Sequence, residues 1–419
     1  MFQVLEPHTV TILTTDKCTA RCRHCCMNSS PERANKLTHE QIATALGQMF
    51  QHYRMKVVVF AGGEPTLLGD DLLKSIAFCK KHGVGSRIVT NAYWADTPEN
   101  ATAMCKELRE AGLDELNISM DDYHEPYVAF ANVKRAWQAA KEFDFSAVAI
   151  ANCYGPQSVL TPDFLEEELG MKEDVKIQRR FDVDGRSTGF EKQIHQTTFV
   201  LSNGNVQRLG RGADLIADEE IARESYNTHI ATIGGCPHAV RAAALTPRNH
   251  LVSCCGFELH GNPILDFGEV TDGNLDRLVE NADNDLIVNM IAMIGPPRIM
   301  ELLKDFCPDE VSFPRSIYQS YCEVCHDLVG IAQNRQAMYK YQGMFASHIL
   351  AAREGLAEKY QPVLGHGLPL EIGVNIKVER LVPDIELAYD HAHAVREASK
   401  RASSAEGASG PSPSPTEIA

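Results

Sequence analysis

Residues 8–25 read HTVTILTTDKCTARCRHC, and this stretch decides the fold. The β-branched apolar run over residues 8–14 predicts a buried strand, and three cysteines follow it directly. Residues 56–65, KVVVFAGGEP, have the same design, because a second apolar strand runs straight into two glycines, a glutamate and a proline. Loops at the carboxyl ends of parallel strands commonly carry binding sites. We therefore expect an α/β fold with its site at that edge of the sheet.

The same alternation of strands and helices continues along the chain. Further strand-like runs cover residues 86–90, 115–119, 146–151 and 175–181. Helical patterns lie between the strands, over residues 38–51 after a Thr38/Gln41 capping box and over residues 70–81, 98–111 and 126–143. Six βα units predict a partial (β/α)6 barrel that is open on one side, since a closed barrel has eight.

Composition and charge exclude several classes of protein. The chain has 419 residues, 44% of them hydrophobic, and 40 Lys plus Arg against 56 Asp plus Glu give a net charge of −16. An acidic balance without a basic run disfavours nucleic acid as the main partner. No run approaches the about 20 apolar residues of a membrane helix and no signal-peptide pattern is present, so we expect a soluble cytoplasmic protein without a membrane partner. Thirteen cysteines in such a chain favour metal binding over disulfides.

The first three cysteines have the spacing Cys18-x3-Cys22-x2-Cys25. Three thiolates at this spacing can hold one corner of an iron–sulfur cube and leave the fourth iron free to bind a small chelating substrate. The alternative is a structural zinc site that recruits His24 or Cys26 as its fourth ligand.

This spacing, with a ring-bearing residue before the third cysteine, resembles the radical S-adenosylmethionine (SAM) superfamily. The Gly62-Gly63-Glu64-Pro65 turn adds to the resemblance, because in that family a GGEP segment holds the amino group of the SAM methionine. The resemblance covers about residues 8–190 and implies a SAM-binding [4Fe-4S] cluster and SAM itself as cofactors. It also implies an electron donor such as flavodoxin or ferredoxin.

The resemblance implies further SAM contacts at later strand ends. In related enzymes such positions contact the methionine carboxylate, the ribose or the adenine, and here they correspond to Thr90, Asn91, Ser119, Asp121, Asn152 and Arg186. Each of these residue types is also common in ordinary turns and caps. Asp122, Tyr123 and His124 follow Asp121 and are candidates for substrate contact.

Six more cysteines lie after residue 230, and Cys322-x2-Cys325 has metal-ligand spacing. A predicted hairpin with its turn at residues 247–250 would bring Cys236 and Cys254 to the same place, which completes four ligands. This set resembles the auxiliary-cluster extensions of radical SAM enzymes called SPASM and twitch, and it implies one auxiliary [4Fe-4S] cluster. The full SPASM run C-x2-C-x5-C-x3-C is absent. Cys255 competes with Cys254 as a ligand, Cys307 is unassigned, and a structural zinc is the alternative.

The remaining cysteines have simpler interpretations. Cys79 and Cys105 fall within predicted helices, where a free cysteine is commonly a small buried apolar residue. Cys153 follows the fifth predicted strand and faces the expected cavity. It is a candidate hydrogen-atom donor, as in radical epimerases, while a core thiol is the alternative.

We divide the chain into four regions on these patterns. Residues 1–190 form the predicted barrel, 191–335 an α+β auxiliary-cluster domain, 336–400 a helical or mixed extension, and 401–419 a Ser/Pro-rich tail that is too poor in large apolar residues to fold. Within the second region we expect a hairpin around Asn203-Gly204 and helices over residues 214–224, 275–284, 285–304 and, with a break, 313–353.

The resemblance implies reductive cleavage of SAM to a 5′-deoxyadenosyl radical, which abstracts hydrogen from a substrate. We expect a radical SAM oxidoreductase or maturase that modifies a peptide by cross-linking, epimerisation or oxidation, with a separate leader-binding protein as a possible partner. The alternatives are a small-molecule dehydrogenase or epimerase in an antibiotic or cofactor pathway, and a non-catalytic binding protein stabilised by zinc.

Overall fold

The computed structural model of the chain describes residues 5–171, 178–181, 187–194, 197–204, 206–215, 235–316, 318, 320–346, 349 and 353. The strands are β1 Thr9–Leu13, β2 Val57–Ala61, β3 Gly85–Thr90, β4 Glu115–Ser119, β5 Ala147–Cys153, β6 Gln178–Phe181, β7 Ser187–Ile194, β8 Thr197–Gly204, β9 Ala242–Leu245, β10 His250–Val252 and β11 Asp266–Glu269. The helices are α1 His39–His52, α2 Asp70–Lys81, α3 Pro98–Ala111, α4 Phe130–Ala140, α5 Pro162–Glu168, α6 Leu275–Asn284, α7 Leu286–Met293, α8 Pro296–Phe306, α9 Tyr321–Gly330 and α10 Ala332–Tyr341.

All eleven of these strands form one sheet in the order β11-β10-β9-β1-β2-β3-β4-β5-β8-β7-β6. Six neighbouring strands pair in parallel, namely β1, β2, β3, β4, β5 and β8. Strand β9 adds a further parallel strand beside β1. The predicted α/β class with six parallel strands is therefore confirmed. The carboxyl ends of these strands meet at one edge, where the predicted site residues follow β1 to β5.

Strands β2, β3 and β4 bury alternate residues beneath the helices, and β5 follows this pattern in part. The residues that are fully buried on this face include Val58, Phe60, Ile88, Leu116, Ile118, Val148 and Ile150. Intervening residues such as Val59 and Asn117 are half-buried on the opposite face. This period of two is the reason that the apolar runs in the sequence predicted the strands well.

The sixth parallel strand differs from the prediction. We expected it at residues 175–181, but the described part of that run, β6, pairs antiparallel with β7 at the edge of the sheet. The parallel partner of β5 is β8, and the hairpin expected around Asn203-Gly204 is wrong. Both residues end β8 in register with Asn152 and Cys153, because tertiary pairing along the whole of β5 overrides the local turn preference of Asn-Gly.

The later helices are shorter than predicted. The helix expected over residues 285–304 is two helices, α7 and α8, bent by 108°. Gly295, with φ of 92°, and the two prolines that follow it end α7 and start α8. The expected turn at residues 247–250 is confirmed as the antiparallel connection from β9 to β10.

Several predictions lie outside the described residues, namely Arg186, most of the helix expected over 214–224, and the chain from residue 354 onward. The domain boundaries stay predictions, although β8 and β9, which follow the proposed boundary at residue 190, belong to the same sheet as β1. Among the described helices, no single one is long and apolar enough to cross a membrane, and only the bent pair α7–α8 meets that criterion jointly.

Candidate functional site

The first cysteine loop, residues 14–38 between β1 and α1, is joined by backbone hydrogen bonds to the glycine-rich turn after β2. Gly63 N donates to Thr15 O over 2.6 Å, and Glu64 N donates to Lys17 O over 2.9 Å. The two bonds extend the pairing of β1 and β2 into the loop. They therefore fix the backbone immediately before Cys18.

Glycine is required at both positions of this turn because backbone meets backbone there. A Cβ at Gly62 would lie 2.5 Å from Thr15 O, and a Cβ at Gly63 would overlap Lys17 O. Gly62 also has φ of 127°, where side chains are strained. The two glycines therefore allow the turn to pack closely against the first cysteine loop.

A Gly63→Ala variant should test this packing. A backbone carbonyl cannot move away as a flexible side chain can, so we expect a loss of about 1–3 kcal/mol in unfolding free energy, as for other overpacked sites, together with reduced iron incorporation. Urea unfolding and iron analysis measure the two effects. Gly47→Ala is the matched control. Gly47 lies within α1, where a Gly→Ala change is neutral or stabilising, and its Cβ would be 3.9 Å from the Phe78 side chain. Equal behaviour of the two variants would contradict this interpretation.

Glu64 is fully buried, and its carboxylate joins three segments of the site. It accepts hydrogen bonds from Thr66 N and Oγ1, from Thr90 Oγ1 at 2.8 Å and from Asn91 N at 2.9 Å. Burial raises the pKa of this carboxyl, against the lowering effect of the four donors. The Glu64 carboxylate thus ties the end of β3 to the glycine-rich turn, and Pro65 starts a short 3-10 helix beside it.

Asn91 connects this network to the cysteines. Its Nδ2 donates to Thr19 Oγ1 over 3.0 Å and lies 3.7 Å from Cys18 Sγ, which also accepts Ala20 N at 3.4 Å. Burial raises the pKa of Cys18 to about 12. A metal must therefore displace the thiol proton, and N–H groups directed at the sulfur suit the thiolate that results.

A cluster of rings and one carboxylate lies beside the second and third cysteines. His24 Nε2 is 3.4 Å from Asp121 Oδ2, and His124 Nδ1 is 2.8 Å from Asp121 Oδ1. The ring of His24 stacks on Tyr123 with centroids 4.7 Å apart. Asp121, His24 and Tyr123, which were predicted separately, are thus brought together at the end of β4.

The charges in this cluster are unequal. Burial alone would raise the pKa of Asp121, but His124 outweighs it and the pKa is lowered. Burial opposes the charge on His124 as well, yet Asp121 and the adjacent Cys22 raise its pKa well above the usual value. For His24, burial dominates over Asp121 and lowers the pKa to about 4. Asp121 and His124 therefore form an ion pair, beside a neutral His24.

The remaining predicted positions show different environments. Ser119 lies on the half-buried face at the end of β4, while the Asn152 amide donates to Met120 O and Leu160 O, so its NH2 group is already bonded within the fold. Cys153 is half-buried and packs against Val206 and Leu215 beside Tyr123. Cys79 and Cys105 are fully buried in the core, as expected.

The observed geometry fits a [4Fe-4S] cluster and SAM. Three thiols lie on one loop, and Cys18 already accepts N–H donors. Within the described part of the chain, His24 Nδ1 and Asn152 Oδ1 are buried polar atoms with no hydrogen-bond partner. A bound ligand would satisfy such atoms, which otherwise carry a desolvation cost.

The second cysteine set comes together from three parts of the chain. Cys236 N donates to Ile291 O of α7, Cys254 follows β10, and α9 carries Cys322 and Cys325 one turn apart on one face. Each of the four thiols interacts electrostatically with others of the set, and burial raises the pKa of Cys254 and Cys325 well above its usual value.

Gly256 shows how close these sulfurs lie. A Cβ at this position would be 2.9 Å from Cys322 Sγ and 3.8 Å from Cys254 Sγ. Cys255 is exposed beside them, and Cys307 is buried at the end of α8. The grouping of Cys236, Cys254, Cys322 and Cys325 therefore suits one metal centre, with Gly256 leaving space between two ligands.

Segment 206–215 connects the two cysteine sets, and sequence reasoning missed it. Arg208 N donates to Glu323 Oε1 over 2.7 Å, and Arg208 also forms an ion pair with this fully buried carboxylate between Cys322 and Cys325. Arg211 donates to Cys22 O over 3.0 Å, and its backbone N–H donates to Cys25 O.

The signal that could have found this segment is Gly210-Arg211. Arg186 corresponds to the expected SAM contact only if residues 175–181 form the sixth strand. The structure makes β8 the sixth parallel strand, and Gly210-Arg211 follows it. A Cβ at Gly210 would lie 2.5 Å from Cys25 O, so glycine is required at this contact.

A second connection between the sets was also missed. Glu258, in the loop after Cys254, accepts a hydrogen bond from Arg33 at 2.8 Å and one from Asn28 at 3.2 Å. Arg33 also pairs with Asp16 at the start of the first cysteine loop. Cys26 interacts electrostatically with Cys25, Cys255 and Cys322. The two cysteine sets are therefore neighbours in the fold.

A cavity of about 490 Å³ opens beside His24 and Asp121. Its lining residues are Arg23, Asp122, Tyr123, Pro126, Tyr127, Gln157 and Ser158. Tyr127 is 49% exposed at its rim. Asp122 holds the opposite wall in place by accepting the backbone N–H groups of Val159 and Leu160.

The family model described as "Radical SAM superfamily" matches residues 12–153, which include the three cysteines, the GGEP turn and the strand ends β1 to β5. Residues 12–153 thus form the part of the chain that matches the radical SAM superfamily, and the protein is a radical SAM enzyme. This match implies a [4Fe-4S] cluster and SAM as the cofactors.

Among its relatives, YydG of Bacillus subtilis (strain 168), provisionally named a peptide biosynthesis protein, is 24% identical over 337 residues, which is 80% of this chain and 95% of YydG. The Fe-coproporphyrin III synthase of Methanosarcina barkeri is 32% identical over 127 residues, 30% of each chain. Among solved structures, anSMEcpe with bound AdoMet and Cp18Cys peptide covers 82% of this chain and 99% of its own, with 14% identity and a TM-score of 0.41. This low TM-score supports no inference about activity.

Proposed function

We propose that this radical SAM enzyme modifies a peptide, and that Cys18, Cys22 and Cys25 hold the cluster that binds SAM. When bound, the cluster and SAM supply reductive cleavage of SAM and a radical that abstracts hydrogen from the substrate. The chain itself orients these groups. The N–H donors at Cys18, the Arg211 contacts at Cys22 and Cys25, and the glycine-rich turn all support this assignment.

The predicted SAM contacts fall into two groups on this proposal. Asp121 and the unpartnered Nδ1 of His24 are the polar groups available to a nucleoside. Thr90, Asn91 and Glu64 bond to one another, which supports a positioning role for them behind the glycine-rich turn. Arg211 replaces Arg186 in the proposal as the arginine after the sixth strand.

We further propose one auxiliary [4Fe-4S] cluster on Cys236, Cys254, Cys322 and Cys325. The four thiols, of which Cys325 is buried and the other three are half-buried, interact electrostatically, and Gly256 leaves space between two of them; both observations support this assignment. The Arg208–Glu323 pair would hold α9, and with it two ligands, at a set position relative to Cys22. When bound, such a cluster would supply an acceptor for the electron that the substrate radical loses on oxidation.

The observation that carries the peptide substrate is the extent of the match to YydG. That match spans 337 residues, whereas the relatives named for small-molecule reactions match 127 and 115 residues. The YydG match thus extends beyond the proposed SAM-binding strands into the rest of the chain, which supports a peptide substrate. A small-molecule dehydrogenase is the alternative that the experiment below addresses.

The cavity at the mouth of the sheet is the proposed place for the substrate. It adjoins the proposed SAM contacts at His24 and Asp121, and Tyr123 belongs to both. Tyr127 and Tyr123 offer amphipathic surfaces of the kind that bind peptide side chains. The cavity volume of about 490 Å³ admits one or two residues of a chain, so recognition of a longer peptide would need a further surface or a leader-binding partner.

The test uses anaerobically reconstituted protein, SAM, dithionite and the short peptide encoded nearest to the gene, in D2O. We expect 5′-deoxyadenosine and a peptide mass change: a gain of one deuterium for epimerisation, or a loss of two hydrogens for cross-linking or oxidation. An unchanged mass for every neighbouring peptide, with turnover of a small molecule instead, would refute the peptide assignment.

Tyr127→Ala probes the proposed substrate cavity. It should raise KM for the peptide and leave SAM cleavage without peptide unchanged. Tyr339→Ala is the matched control, because Tyr339 is 45% exposed at a different place, on α10.

A further inference from the structure

Two histidines and an aspartate lie together at the β10–β11 edge of the sheet, and none belongs to either cysteine set. His250 begins β10, Asp266 begins β11, and His260 lies in the segment between them. One ligand atom of each residue lies within 4.8 Å of the other two. Imidazole nitrogens with one carboxylate are a common donor set for zinc and other first-row divalent metals.

The distances within this group match the spacing of ligands around one ion. His250 Nδ1 lies 3.0 and 3.1 Å from the two carboxylate oxygens of Asp266, and His260 Nδ1 lies 3.6 Å from Oδ2. Two ligands at tetrahedral positions about 2.0–2.1 Å from a zinc ion are about 3.3–3.5 Å apart. The two His–Asp distances therefore differ from this spacing by a few tenths of an ångström, and the nitrogens of the two histidines lie within 4.8 Å of each other.

The carboxylate is held in place by the backbone. Asp266 Oδ2 accepts Gly261 N at 2.6 Å, Oδ1 accepts Gly268 N at 3.0 Å, and the side chain is 7% exposed. Hydrogen bonds of this kind orient the ligands of known metal sites and increase metal affinity. These two backbone bonds leave one lone pair on each carboxylate oxygen.

The ring of His260 supplies an independent observation. Its Nδ1 is buried and has no hydrogen-bond partner among the described residues, since 3.6 Å to Asp266 is too long for a hydrogen bond. Burial, followed by the neighbouring His250, lowers the pKa of His260 against the opposing effect of Asp266. Neutral imidazole is the form that binds metals.

The two rings approach each other edge to face, with centroids 4.5 Å apart, so both can direct a nitrogen at one point. Their side chains are 27% and 26% exposed. Water can therefore reach the group and complete the coordination of an ion.

We propose that His250 Nδ1, His260 Nδ1 and a carboxylate oxygen of Asp266 bind one divalent transition-metal ion, with zinc as the best match. The ion ties the segment around His260 to β10 and β11. That segment also carries Glu258, which holds Arg33 of the first cysteine loop. The metal thus stabilises the connection between the two cysteine sets.

The test uses the full chain with its clusters reconstituted anaerobically, so that the cysteines are occupied. Zinc is titrated against a chromophoric chelator, and bound zinc is counted by mass spectrometry after desalting. After desalting, we expect one zinc ion in the wild-type protein and none in His260→Ala. In the titration, the affinity of His260→Ala for zinc should be lower by at least about 10-fold. His250→Gln should behave in the same way and guards against a folding defect of one variant.

His39→Ala is the control. His39 begins α1, outside the group, where it is half-buried and forms a hydrogen bond with Ser75. Zinc should raise the melting temperature of the wild type and of His39→Ala, and leave that of His260→Ala unchanged. The proposal is overturned if the wild type binds no zinc, or if the zinc it binds remains in both His260→Ala and His250→Gln. Because binding is measured without SAM or substrate, the result is independent of the proposed peptide chemistry.

Discussion

Replacing Cys18, Cys22 and Cys25 together by Ala should reduce SAM cleavage to background. A cluster held by three thiolates has no other ligands in the loop at the required spacing, and a zinc ion in its place has no redox chemistry with which to reduce a sulfonium. The measurement is 5′-deoxyadenosine formed from SAM with dithionite, compared with iron content. Cleavage at the wild-type rate would refute the assignment of the cluster to these cysteines.

Single variants sharpen this test. Cys25→Ala should behave like the triple variant, while Cys26→Ala should keep SAM cleavage, because Cys26 falls outside the x3, x2 spacing. Both residues lie in the same loop, and their backbone carbonyls both approach Gly210, so the two variants are closely matched in position. A reversed result would move the third ligand to Cys26.

The second large effect concerns Cys322 and Cys325. We expect the wild-type protein to hold about eight irons in two cubes and Cys322→Ala/Cys325→Ala to hold about four. SAM cleavage should persist in this variant, and product formation should stop. Iron analysis, electron paramagnetic resonance of the reduced protein and product mass measure the three outcomes.

The control for this variant is Cys79→Ala/Cys105→Ala, which removes two fully buried thiols from α2 and α3 and should leave the iron count unchanged. Four irons in the wild-type protein, with one zinc that is lost in Cys322→Ala/Cys325→Ala, would instead favour the structural zinc alternative for the second set. Normal product from Cys322→Ala/Cys325→Ala would show that the second centre takes no part in turnover.

Much of the barrel could be predicted because its signals are local. Short β-branched apolar runs located β1 to β5, and the capping box at Thr38 located α1. The spacing of Cys18, Cys22 and Cys25 places three ligands on one loop whatever the rest of the chain does. The steric requirement for glycine at Gly63, in contrast, comes from Lys17 O in a different loop and is not a local signal.

The sixth strand could not be predicted in the same way. Residues 175–181 and β8 are both short extended runs, and the Asn203-Gly204 pair favours a hairpin locally. Which run pairs with β5 depends on contacts between residues distant in sequence. The resulting error also moved the expected arginine from Arg211 to Arg186.

The sequence by itself determined the α/β class and predicted a SAM-binding cysteine loop, a glycine-rich turn and a metal-binding pair at Cys322 and Cys325, because each of these follows from residues close together along the chain. Only the tertiary structure decided that Arg208 holds Glu323, that Arg211 holds the Cys22 carbonyl, and that Glu258 joins the two cysteine sets. These contacts connect residues more than 100 positions apart, and an arginine or glutamate that will form a buried ion pair has the same sequence signal as one on the surface. Burial and the position of its partner distinguish them, and both arise only when the sheet has assembled.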